Sequence, residues 1–465
     1  MNNTNIILNT DSYKPSHWLQ YPPKTTSVFS YIESRGGEYD RTVFFGLQIF
    51  LKEYMTKQVT MAMIDEAEEF LTAHGEPFNR AGWEYIVEAY DGYLPLKIRA
   101  VPEGMIVPVK NILVSVENTD PKVFWLTSYI ETALLRAVWY PTTVATNSWS
   151  IKQVIRAALE ETGDVAGLPF KLHDFGSRGV SSFESAGIGG AAHLVNFMGS
   201  DTINGVRTLM RNYKTDSMPA FSIPAGEHSS YTTWGKANEA DAYRNMINQF
   251  GGKGKMFAVV SDSYDIFNAV ENIWGKELKQ EVLDSGATVV IRPDSGDPTS
   301  VVLKVVQLLD KTFGSEVNSK GFRVLNPAVR VIQGDGINEE SIKSILRTLK
   351  WNGYSADNVA FGQGGALLQI VNRDTLQFAM KASAACIDGE WVDVYKDPVT
   401  DSGKTSKKGR ITLYKNTESG DIYTGRIDAA EHPYVVDVMQ TVFLNGKIVK
   451  EYTLAEVRAN AAASF

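Results

Sequence analysis

Residues 288–297 have the sequence TVVIRPDSGD, in which an apolar, β-prone run ends at Arg292, Pro293 and Asp294. A stretch of helical character often follows such a run, and the same succession is found seven times between about residue 168 and residue 370. Apolar strands that alternate with helices are typical of a parallel sheet covered on both faces. Seven units of this kind predict an α/β fold built on an irregular α/β barrel. The other six runs are PFKLHDFGSRG from Pro169, HLVNFMGSDT from His193, AFSIPAGEHSS from Ala220, MFAVVSDSYD from Met256, VRVIQGDGIN from Val329 and NVAFGQGGAL from Asn358.

The chain on either side of this repeat lacks its rhythm. Near the C-terminus a β-hairpin is predicted, with Asn445-Gly446 as the turn between Val442–Leu444 and Lys447–Lys450. We expect a barrel domain over 151–379 and a flanking α+β sheet domain built from 1–150 plus 380–465. Further predicted elements are helices at Met61–His74, Phe124–Trp139 and Leu454–Ala461, and strands at Thr26–Tyr31, Leu96–Val101, Ile106–Val109 and Thr412–Tyr414.

Composition narrows the class of protein. The 465 residues are 43% hydrophobic and 22% charged, as in ordinary globular proteins, and the net charge of -8 argues against a nucleic-acid binder. The single cysteine, Cys386, permits neither an internal disulfide nor a CxxC zinc site. The N-terminus lacks the features of a signal peptide, and no apolar run approaches the roughly 18 residues of a membrane span. These observations predict a soluble cytoplasmic protein.

Polar residues end the predicted barrel strands, at the edge where barrel enzymes carry their chemistry. Any one of them has an alternative interpretation as a loop residue that caps the next helix. Capping does not account for arginine, histidine and paired glycines at the same end of several strands, so we expect a functional site there. The residues are Asp174, Arg178, Asp201, His228, Asp262, Arg292, Asp294 and Asp335.

Three features of these strand ends suggest phosphate chemistry. The glycine-rich turns at 332–338 and 361–367 allow backbone N–H groups to approach a ligand. Arg292 suits a phosphate and Asp294 suits ribose hydroxyls or a magnesium-bound water, although the two residues are also interpretable as an ion pair that braces the loop. His228 lies between Glu227 and a serine pair, a setting for a nucleophile or an acid–base group, whereas His193 has the surroundings of a buried core residue.

Together the motifs resemble the nicotinamide phosphoribosyltransferases, which belong to the type II phosphoribosyltransferase family. They occur in the family's order over nearly the whole chain. The motifs are TDSYK (10–14), QYPP (20–23), FFGLQ (44–48), LHDFGSRGVSS (172–182), AGIGG (186–190), HLVNFMGSDT (193–202), PAGEHS (224–229), WGK (234–236), VVSDSYDI (259–266), IRPDSGDP (291–298), VIQGDGI (331–337), AFGQGGALLQ (360–369) and YKDP with SKKGR (395–398 and 406–410).

The resemblance implies a homodimer with shared active sites, an α/β barrel and a flanking sheet domain. It implies that the phosphoribosyl group of phosphoribosyl pyrophosphate is transferred to nicotinamide, with Mg²⁺ as cofactor and ATP as co-substrate. Phe175 and the partner's equivalent of Tyr13 would stack on the two faces of the pyridine ring, an arrangement that adds about 0.5–1.5 kcal/mol beyond burial. Arg178 would hold the carboxamide, and Asp201 would accept from its NH₂ group and repel the carboxylate of nicotinate.

The remaining roles follow from the same resemblance. His228 is the histidine that ATP would phosphorylate, and it joins Asp262 and Asp294 as a catalytic residue. Asp262 and Asp294 are also the expected metal-region carboxylates. The other substrate-binding residues are Ser222, Arg292, Gly334, Asp335, Gly364 and Gly365, together with Asp11, Arg35, Arg373, Lys381 and Lys396 around the phosphates, several of them contributed by the partner chain.

The sequence departs from the vertebrate-like pattern in a shorter stretch between Arg35 and Thr42 and in Ala258 and Ala379, which replace serines. Three alternatives stay open from the residues alone. One is a nicotinate phosphoribosyltransferase, and another is a non-catalytic binding protein on the same scaffold. The third is an aldolase-like barrel, which would need a Schiff-base lysine at a strand end, and none of the seven ends supplies an obvious one.

Overall fold

The computed structural model describes residues 5–400, 405–427 and 433–463. The chain divides into two compact units: unit 1 comprises 1–146, 208–215 and 371–465, and unit 2 comprises 147–207 and 216–370. From the sequence we expect boundaries after 150 and 379, whereas the structure divides the chain after 146 and 370 and assigns 208–215 to unit 1. No helix in these described ranges has both the length and the apolar character needed to cross a membrane.

Unit 2 contains the predicted parallel sheet. Every pairing between its strands is parallel, and the order across the sheet is β2-β1-β6-β5-β4-β3. All six carboxyl ends therefore lie at one edge, as the prediction of an α/β barrel requires. The strands are β1 (Leu172–Asp174), β2 (Gly199–Ser200), β3 (Met256–Val260), β4 (Thr288–Arg292), β5 (Val329–Gln333) and β6 (Val359–Gln363).

The strand predicted from Ala220 is wrong as a regular element, but this segment accounts for the irregularity of the barrel. Phe221 forms an isolated parallel bridge to Gly199 of β2, and Ala225 forms one to Ala258 of β3. The two edges of the sheet thus bind the same segment, through few hydrogen bonds. Pro224 accepts from the N–H of Ala258 at 2.9 Å but has no N–H of its own, so a continuous ladder cannot form.

The strand predicted from His193 is also wrong in extent. His193 is the last residue of the helix Phe183–His193, which begins with a capping box between Ser182 and Ser185, and only Gly199–Ser200 is extended. The ring of His193 is fully buried, with its two nitrogens 3.0 Å from the Ser148 hydroxyl and 3.1 Å from the Gly199 carbonyl. Its interpretation as a core residue is confirmed.

Side chains alternate between the two faces of the parallel sheet. One set, which includes Val289 and Ile291, joins the large core formed with the surrounding helices. The other set forms a small cluster of Ala258, Val290 and Ile332, against which Phe175 packs. Two α-helices contain residues of both units, Glu131–Thr162 and Ile203–Asn212. The other α-helices of unit 2 are Phe183–His193, His228–Thr232, Glu239–Phe250, Ile266–Asn268, Lys279–Ser285, Pro298–Phe313, Glu339–Trp351 and Gly365–Leu368. Unit 2 also contains a π-helix at Ala269–Glu277 and a small hairpin of Ser315–Val317 and Arg323–Leu325.

Unit 1 is built on an antiparallel sheet to which both ends of the chain contribute, so the predicted flanking sheet is confirmed. Its seven strands, in spatial order, are Glu390–Asp393, Phe378–Ile387, Thr25–Ser34, Ile112–Asn118, Leu96–Ala100, Gln440–Leu444 and Lys447–Ile448. Smaller sheets pair Ile422–Arg426, Ile411–Asn416 and Val435–Asp437, and pair Arg41–Val43 with Ile106–Pro108. The α-helices are Leu47–Phe50, Met61–His74, Arg80–Tyr90, Leu126–Tyr129 and Leu454–Ala462, with a π-helix at Leu51–Met55.

Local signals located several elements of unit 1. The helix Met61–His74 has the predicted bounds because Thr60 caps its start and Gly75, at φ 99°, ends it. The predicted hairpin is confirmed, with φ 48° at Asn445 and 81° at Gly446. The predicted helix Phe124–Trp139 is wrong in extent: one turn covers Leu126–Tyr129, and a second helix runs from Glu131 through Pro141 to Thr162.

Candidate active site

His228 and Asp262 meet where the segment that starts at Ala220 passes β3. His228 begins a short helix after Glu227, and its Nε2 lies 2.7 Å from Oδ1 of Asp262. The Asp262 side chain is only 5% exposed, whereas 45% of the His228 side chain is open to solvent. The second carboxylate oxygen of Asp262 accepts from the Ser295 hydroxyl at 2.6 Å. This arrangement fixes the carboxylate from both sides and leaves the imidazole accessible.

Arg292 and Asp294 form a second pair at the end of β4. The guanidinium donates from Nε at 3.1 Å and from Nη2 at 2.8 Å to Oδ1 of Asp294. The ring of Phe175 lies beside this pair, with the guanidinium carbon 5.5 Å from its centroid. Gly334 completes the group, since a Cβ added there would lie 3.3 Å from both Nε of Arg292 and the Phe175 ring. A side chain at position 334 would crowd all three groups.

The turn after β1 presents Phe175. Its N–H donates to the Gln363 carbonyl at 2.9 Å, and its ring crosses Gly362 so closely that an added Cβ would lie 1.9 Å from a ring carbon. The preceding residue, Asp174, is fully buried and accepts from the Gly176 N–H at 2.7 Å. Burial raises the pKa of Asp174 to about 6, and the hydrogen bond from Gly176 opposes this shift. Asp174 therefore stabilises the turn through its hydrogen bond from Gly176.

Asp201 and Ser222 come together at the end of β2. The Ser222 hydroxyl donates to Oδ1 of Asp201 at 2.6 Å, and both residues are exposed. The Asp201 N–H donates to the carbonyl of Asp174 at 2.9 Å, which ties this loop to the Phe175 turn. Arg178 is exposed and forms no side-chain hydrogen bond or ion pair with any described residue. The free carboxylate oxygen of Asp201 and the Arg178 guanidinium are available to a ligand.

The two glycine-rich turns differ in their surroundings. Gly364 precedes the one-turn helix Gly365–Leu368, and an added Cβ at Gly365 would meet open space. Asp335 has an exposed side chain, while its carbonyl accepts from the buried Gln333 amide at 2.8 Å. The backbone after β6 is therefore open to a ligand, whereas the turn after β5 is held by the hydrogen bond from Gln333.

Unit 1 contains a separate cluster of cations. Burial lowers the pKa of Lys381, the carboxylate of Glu131 opposes this shift, and the positive charges of Arg35, Lys396 and Lys14 add to it. Glu131 is bonded to the Nζ of Lys14, which is only 4% exposed. Glu33, also 4% exposed, lies 3.5 Å from Nε of Arg35 and is bonded to Lys407. Among the residues that the structure describes, more cations than carboxylates converge here, as expected of an anion site.

The other predicted site residues of unit 1 lie at its surface. Asp11 accepts from the Thr132 hydroxyl at 2.7 Å, and the ring of Tyr13 is 55% exposed beside His17. Arg373 is exposed and lies 3.4 Å from Asp374. The Tyr13 ring is thus open on its outer side, as a ring that stacks on a ligand must be.

The carboxylates do not form a self-sufficient metal centre. Over the described ranges, no group of three histidine, cysteine, aspartate or glutamate residues is arranged to hold an ion. Asp262 and Asp294 nevertheless follow neighbouring strands, and Ser295 links the two loops through its bond to Asp262. Magnesium sites that use substrate phosphates need only one or two carboxylates, so these residues fit such an ion.

Sequence reasoning missed three functional-site neighbours. Ser295 lies within the quoted RPDSGD loop, but its bond to Asp262 depends on how β3 and β4 pair. Glu33 directly follows the apolar pair Tyr31 and Ile32, and Glu131 directly follows Tyr129 and Ile130, a signal that was present in the sequence. Arg35 is a near neighbour of Glu33, but Lys407 and Lys14, to which the two acids are bonded, lie far along the chain, so the fold identifies these partners.

Comparison with known proteins agrees with this geometry. The family described as Nicotinate phosphoribosyltransferase (NAPRTase) matches residues 170–447, and the family of the Nicotinamide phosphoribosyltransferase N-terminal domain matches 5–98. A nicotinamide phosphoribosyltransferase of Xanthomonas campestris pv. campestris (strain 8004) is 56% identical over 464 residues, which cover 99% of this chain and 98% of the relative. One of Acinetobacter baylyi is 31% identical, covering 97% of this chain and 96% of the relative.

Solved structures agree in fold. The nicotinate-nucleotide pyrophosphorylase of Pyrococcus furiosus superposes with a TM-score of 0.65 at 16% identity, covering 99% of this chain and 96% of that chain. Human nicotinic acid phosphoribosyltransferase gives a TM-score of 0.55 at 17% identity, covering 97% of this chain and 92% of that chain. With sequence families matched in both units and relatives aligned over almost the full length, the chain belongs to the nicotinate and nicotinamide phosphoribosyltransferase family of pentosyltransferase enzymes.

Proposed function

We propose that this enzyme transfers the phosphoribosyl group of phosphoribosyl pyrophosphate to nicotinamide, giving nicotinamide mononucleotide and pyrophosphate for NAD salvage. The observation that carries the proposal is the meeting of Phe175 with the Arg292–Asp294 pair over Gly334. An aromatic ring suited to a flat base thus lies beside a cation suited to a phosphate. The high identity to a nicotinamide phosphoribosyltransferase supports the same conclusion.

Asp201 supports nicotinamide rather than nicotinate as the base. Ser222 occupies one of its carboxylate oxygens, and the other oxygen is free to accept from a carboxamide NH₂ group. The carboxylate of nicotinate would instead face a like charge, which costs binding energy. Phe175 offers a ring face for stacking, and Arg178, which has no side-chain partner in the described part of the chain, is free to donate to the carboxamide oxygen.

The chemical step needs positioning and charge stabilisation more than proton transfer. The lone pair of the pyridine nitrogen forms a bond to C1′ of the ribose, while the bond from C1′ to the pyrophosphate oxygen breaks and its electrons leave with pyrophosphate. Positive charge develops on the ribose and negative charge on the leaving group. Carboxylates such as Asp294 suit the positive charge on the ribose, and Arg292 suits the phosphate oxygens of the leaving group. Fixed groups of this kind act without reorganisation.

Magnesium is part of the proposal. Asp262 and Asp294 are the residues that would hold it together with phosphate oxygens of the substrate. When bound, the ion neutralises charge on the pyrophosphate. Asp262 already accepts hydrogen bonds at both oxygens, whereas Oδ2 of Asp294 accepts none from a described residue, so Asp294 would be the more available of the two carboxylates.

The His228–Asp262 pair supports stimulation by ATP. Because Nε2 faces Asp262, Nδ1 is the nitrogen free to attack. A bond forms between Nδ1 and the γ-phosphorus of ATP, the bond from that phosphorus to the bridging oxygen breaks, and ADP leaves. Water later cleaves the N–P bond and releases phosphate. In the interval the phosphoryl group adds about -1.5 to -2 of charge next to the substrate site.

We extend the proposal to a homodimer with shared sites. The cations Lys14, Arg35, Lys381 and Lys396 of unit 1 outnumber the acids around them and suit the phosphates of a substrate. In the proposed dimer, they and the open face of Tyr13 serve the active site of the other copy. A mixture of Lys381→Ala and Asp294→Asn chains, each nearly inactive alone, then regains activity, because some mixed dimers contain one intact site.

The primary test measures mononucleotide formation from nicotinamide or nicotinate, with Mg²⁺ and with or without ATP. Wild type is expected to prefer nicotinamide and to be stimulated by ATP, and His228→Ala is expected to lose only the stimulation. His74→Ala, at an exposed helix end, is the matched control. Preference for nicotinate would assign the chain to the sister activity, and equal ATP stimulation in wild type and His228→Ala would exclude the phosphohistidine.

Asp201→Asn tests the specificity argument at constant side-chain size. Removing the negative charge is expected to narrow the preference for nicotinamide over nicotinate by about 10-fold, because the repulsion of the nicotinate carboxylate disappears. Asp284→Asn, on the helix Lys279–Ser285, is the control. An unchanged ratio of kcat/KM for the two bases would show that Asp201 does not set the choice.

A further inference from the structure

An unusually close contact lies beneath the turn that carries His228. A Cβ added to Gly226 would lie 1.8 Å from the hydroxyl oxygen of Tyr231 and 2.2 Å from the adjoining ring carbon. Tyr231 is on the same short helix as His228, three residues further along, and is only 3% exposed. Gly226 precedes His228 by two residues. The phenol of Tyr231 therefore lies against the backbone of the turn from below.

Tyr231 is the first of three buried aromatic rings in contact. Its ring meets that of Tyr243 edge to face at 5.7 Å, and Tyr243 stacks on Trp274 at 4.8 Å with the planes 10° apart. We name Tyr231, Tyr243 and Trp274 the aromatic column. The indole N–H of Trp274 donates to the Ser261 hydroxyl at 3.2 Å, and Ser261 directly precedes Asp262. One end of the column touches the backbone before His228, and the other end holds the hydroxyl of Ser261, the residue before Asp262.

The Tyr231 hydroxyl has no hydrogen-bond partner among the described residues. The position of the ring is held by packing on Gly226 and Tyr243 rather than by a hydrogen bond. This makes the backbone of the turn sensitive to the volume of the side chain at 231.

We propose that the aromatic column is a positioning element for His228: it holds Gly226 and Ser261 at a fixed separation and thereby keeps the imidazole within hydrogen-bonding reach of Asp262. The inference rests on the proposed phosphohistidine step, for which this contact selects the reacting nitrogen. The column touches neither substrate nor reacting atoms. Its members act through the two segments that bear the pair.

Steric exchange tests the proposal at Gly226. Gly226→Ala places a methyl group inside the phenol and displaces the turn. We expect the ratio of the rate with ATP to the rate without ATP to fall by about 10- to 100-fold, or to 1 where stimulation is lost completely. Tyr231→Leu is shorter and removes the clash, so the double variant Gly226→Ala/Tyr231→Leu is expected to recover stimulation to within about threefold of wild type. Tyr231→Phe keeps the ring and is expected to stay within about threefold of wild type.

The ratio separates positioning from general damage. A loss of folded protein lowers the rates with and without ATP equally and leaves their ratio unchanged. Trp274→Phe is the second variant: it keeps an aromatic ring in the column, removes the indole donor to Ser261 together with part of the ring volume, and is expected to lower the ratio without rescue by Tyr231→Leu. Unchanged ratios in both Gly226→Ala and Trp274→Phe would overturn the proposal.

Histidine ring NMR provides a readout that does not depend on ATP. The chain has six histidines, so the ¹⁵N resonances of His228 can be assigned by comparison with His228→Ala. We expect the Nε2 signal of the Asp262-bonded imidazole to change in Gly226→Ala and to return in the double variant. An unchanged signal would overturn the positioning role even if wild type shows no ATP stimulation, whereas absent stimulation with a displaced signal would reject the phosphohistidine alone.

Discussion

The two ends of the parallel sheet in unit 2 use their charged residues differently. At the carboxyl end Arg292 pairs with Asp294 and His228 pairs with Asp262. In both pairs the partner is a side chain, and each pair keeps hydrogen-bonding atoms that can bind a ligand. At the amino end Lys171, just before β1, donates to three carbonyl oxygens at 3.0–3.1 Å, those of Ala356, Asp357 and Val359.

Arg330 repeats the pattern of the amino end. Its Nη1 donates to the carbonyls of Leu325, Asn326 and Val329 at 2.7–3.1 Å. Burial lowers the pKa of Lys171 to about 8, with Asp357 opposing the shift, and burial also lowers the pKa of Arg330. The three donors of Lys171 are all directed at backbone oxygens, and Nη1 of Arg330 is used in the same way. The comparison teaches that the amino end is built for stability and the carboxyl end for binding.

The largest effect is expected from Asp294→Asn at the carboxyl end. The change removes the charge that orients Arg292 and the most accessible carboxylate for magnesium. We expect kcat/KM for phosphoribosyl pyrophosphate to fall by about 100- to 1,000-fold. The melting temperature should change little, because a partly exposed pair contributes only about 0–1 kcal/mol to stability. A fall of less than threefold in kcat/KM would break the distinction between the two ends.

Lys171→Met at the amino end is the counterpart. It leaves three buried carbonyl groups without their donor, and we expect the free energy of unfolding to drop by about 1–3 kcal/mol. Urea unfolding measures this loss, and kcat per folded molecule should stay close to wild type. Lys343→Met, which removes a surface ion pair with Glu339 and Glu340, is the control and should be nearly neutral. Equal losses in the two variants would contradict the structural role of Lys171.

This contrast also shows what the sequence can reveal. Apolar runs with terminal polar residues predict β3 to β6 and their functional edge, since the periodicity is local and strong. The segment from Ala220 resembles the other runs, yet Pro224 and the need to bridge both sheet edges prevent a regular strand. Tertiary context decided the outcome there.

The candidate site divides in the same way. Arg292 and Asp294 are recognisable because they share one loop, and their mutual contact is local. The bond between Ser295 and Asp262 joins residues 33 positions apart, and that between His228 and Asp262 spans 34. The cations of unit 1 come from both ends of the chain. Such contacts depend on strand order, which a single sequence does not specify.

Asp174 sharpens the comparison because it is a buried group at the binding end. Its folded pKa of about 6 lies above the ordinary value of 3.8. Between these values the folded protein holds a proton that the unfolded chain has released, so this residue makes stability fall as pH rises from 3.8 to about 6. Above that window the penalty is complete.

Asp174→Asn removes this dependence and keeps an oxygen for the Gly176 N–H. The free energy of unfolding of the variant, minus that of wild type, should rise by about 1–3 kcal/mol when the pH is raised from 4.5 to 7. Urea unfolding at the two pH values measures the change. Asp284→Asn, an exposed helical residue, controls for the loss of a carboxylate. A stability difference from wild type that is the same at both pH values would show that the raised pKa does not contribute.

Ser295→Ala is expected to have the smallest effect and tests how far the binding end depends on its supporting contacts. The hydroxyl donates to Oδ2 of Asp262, and its loss frees that oxygen without touching the bond from His228 to Oδ1. This hydrogen bond is exposed to solvent, which weakens it to about 0.5–1.5 kcal/mol although its acceptor is a carboxylate, so ATP stimulation should fall by only about two- to tenfold. Ser295→Thr restores a hydroxyl and should restore stimulation, whereas Ser300→Ala, on the same loop–helix junction, should leave it unchanged. If Ser295→Ala abolishes stimulation as fully as His228→Ala, Ser295 takes part in the chemistry itself, and the binding end carries a catalytic group beyond the two pairs.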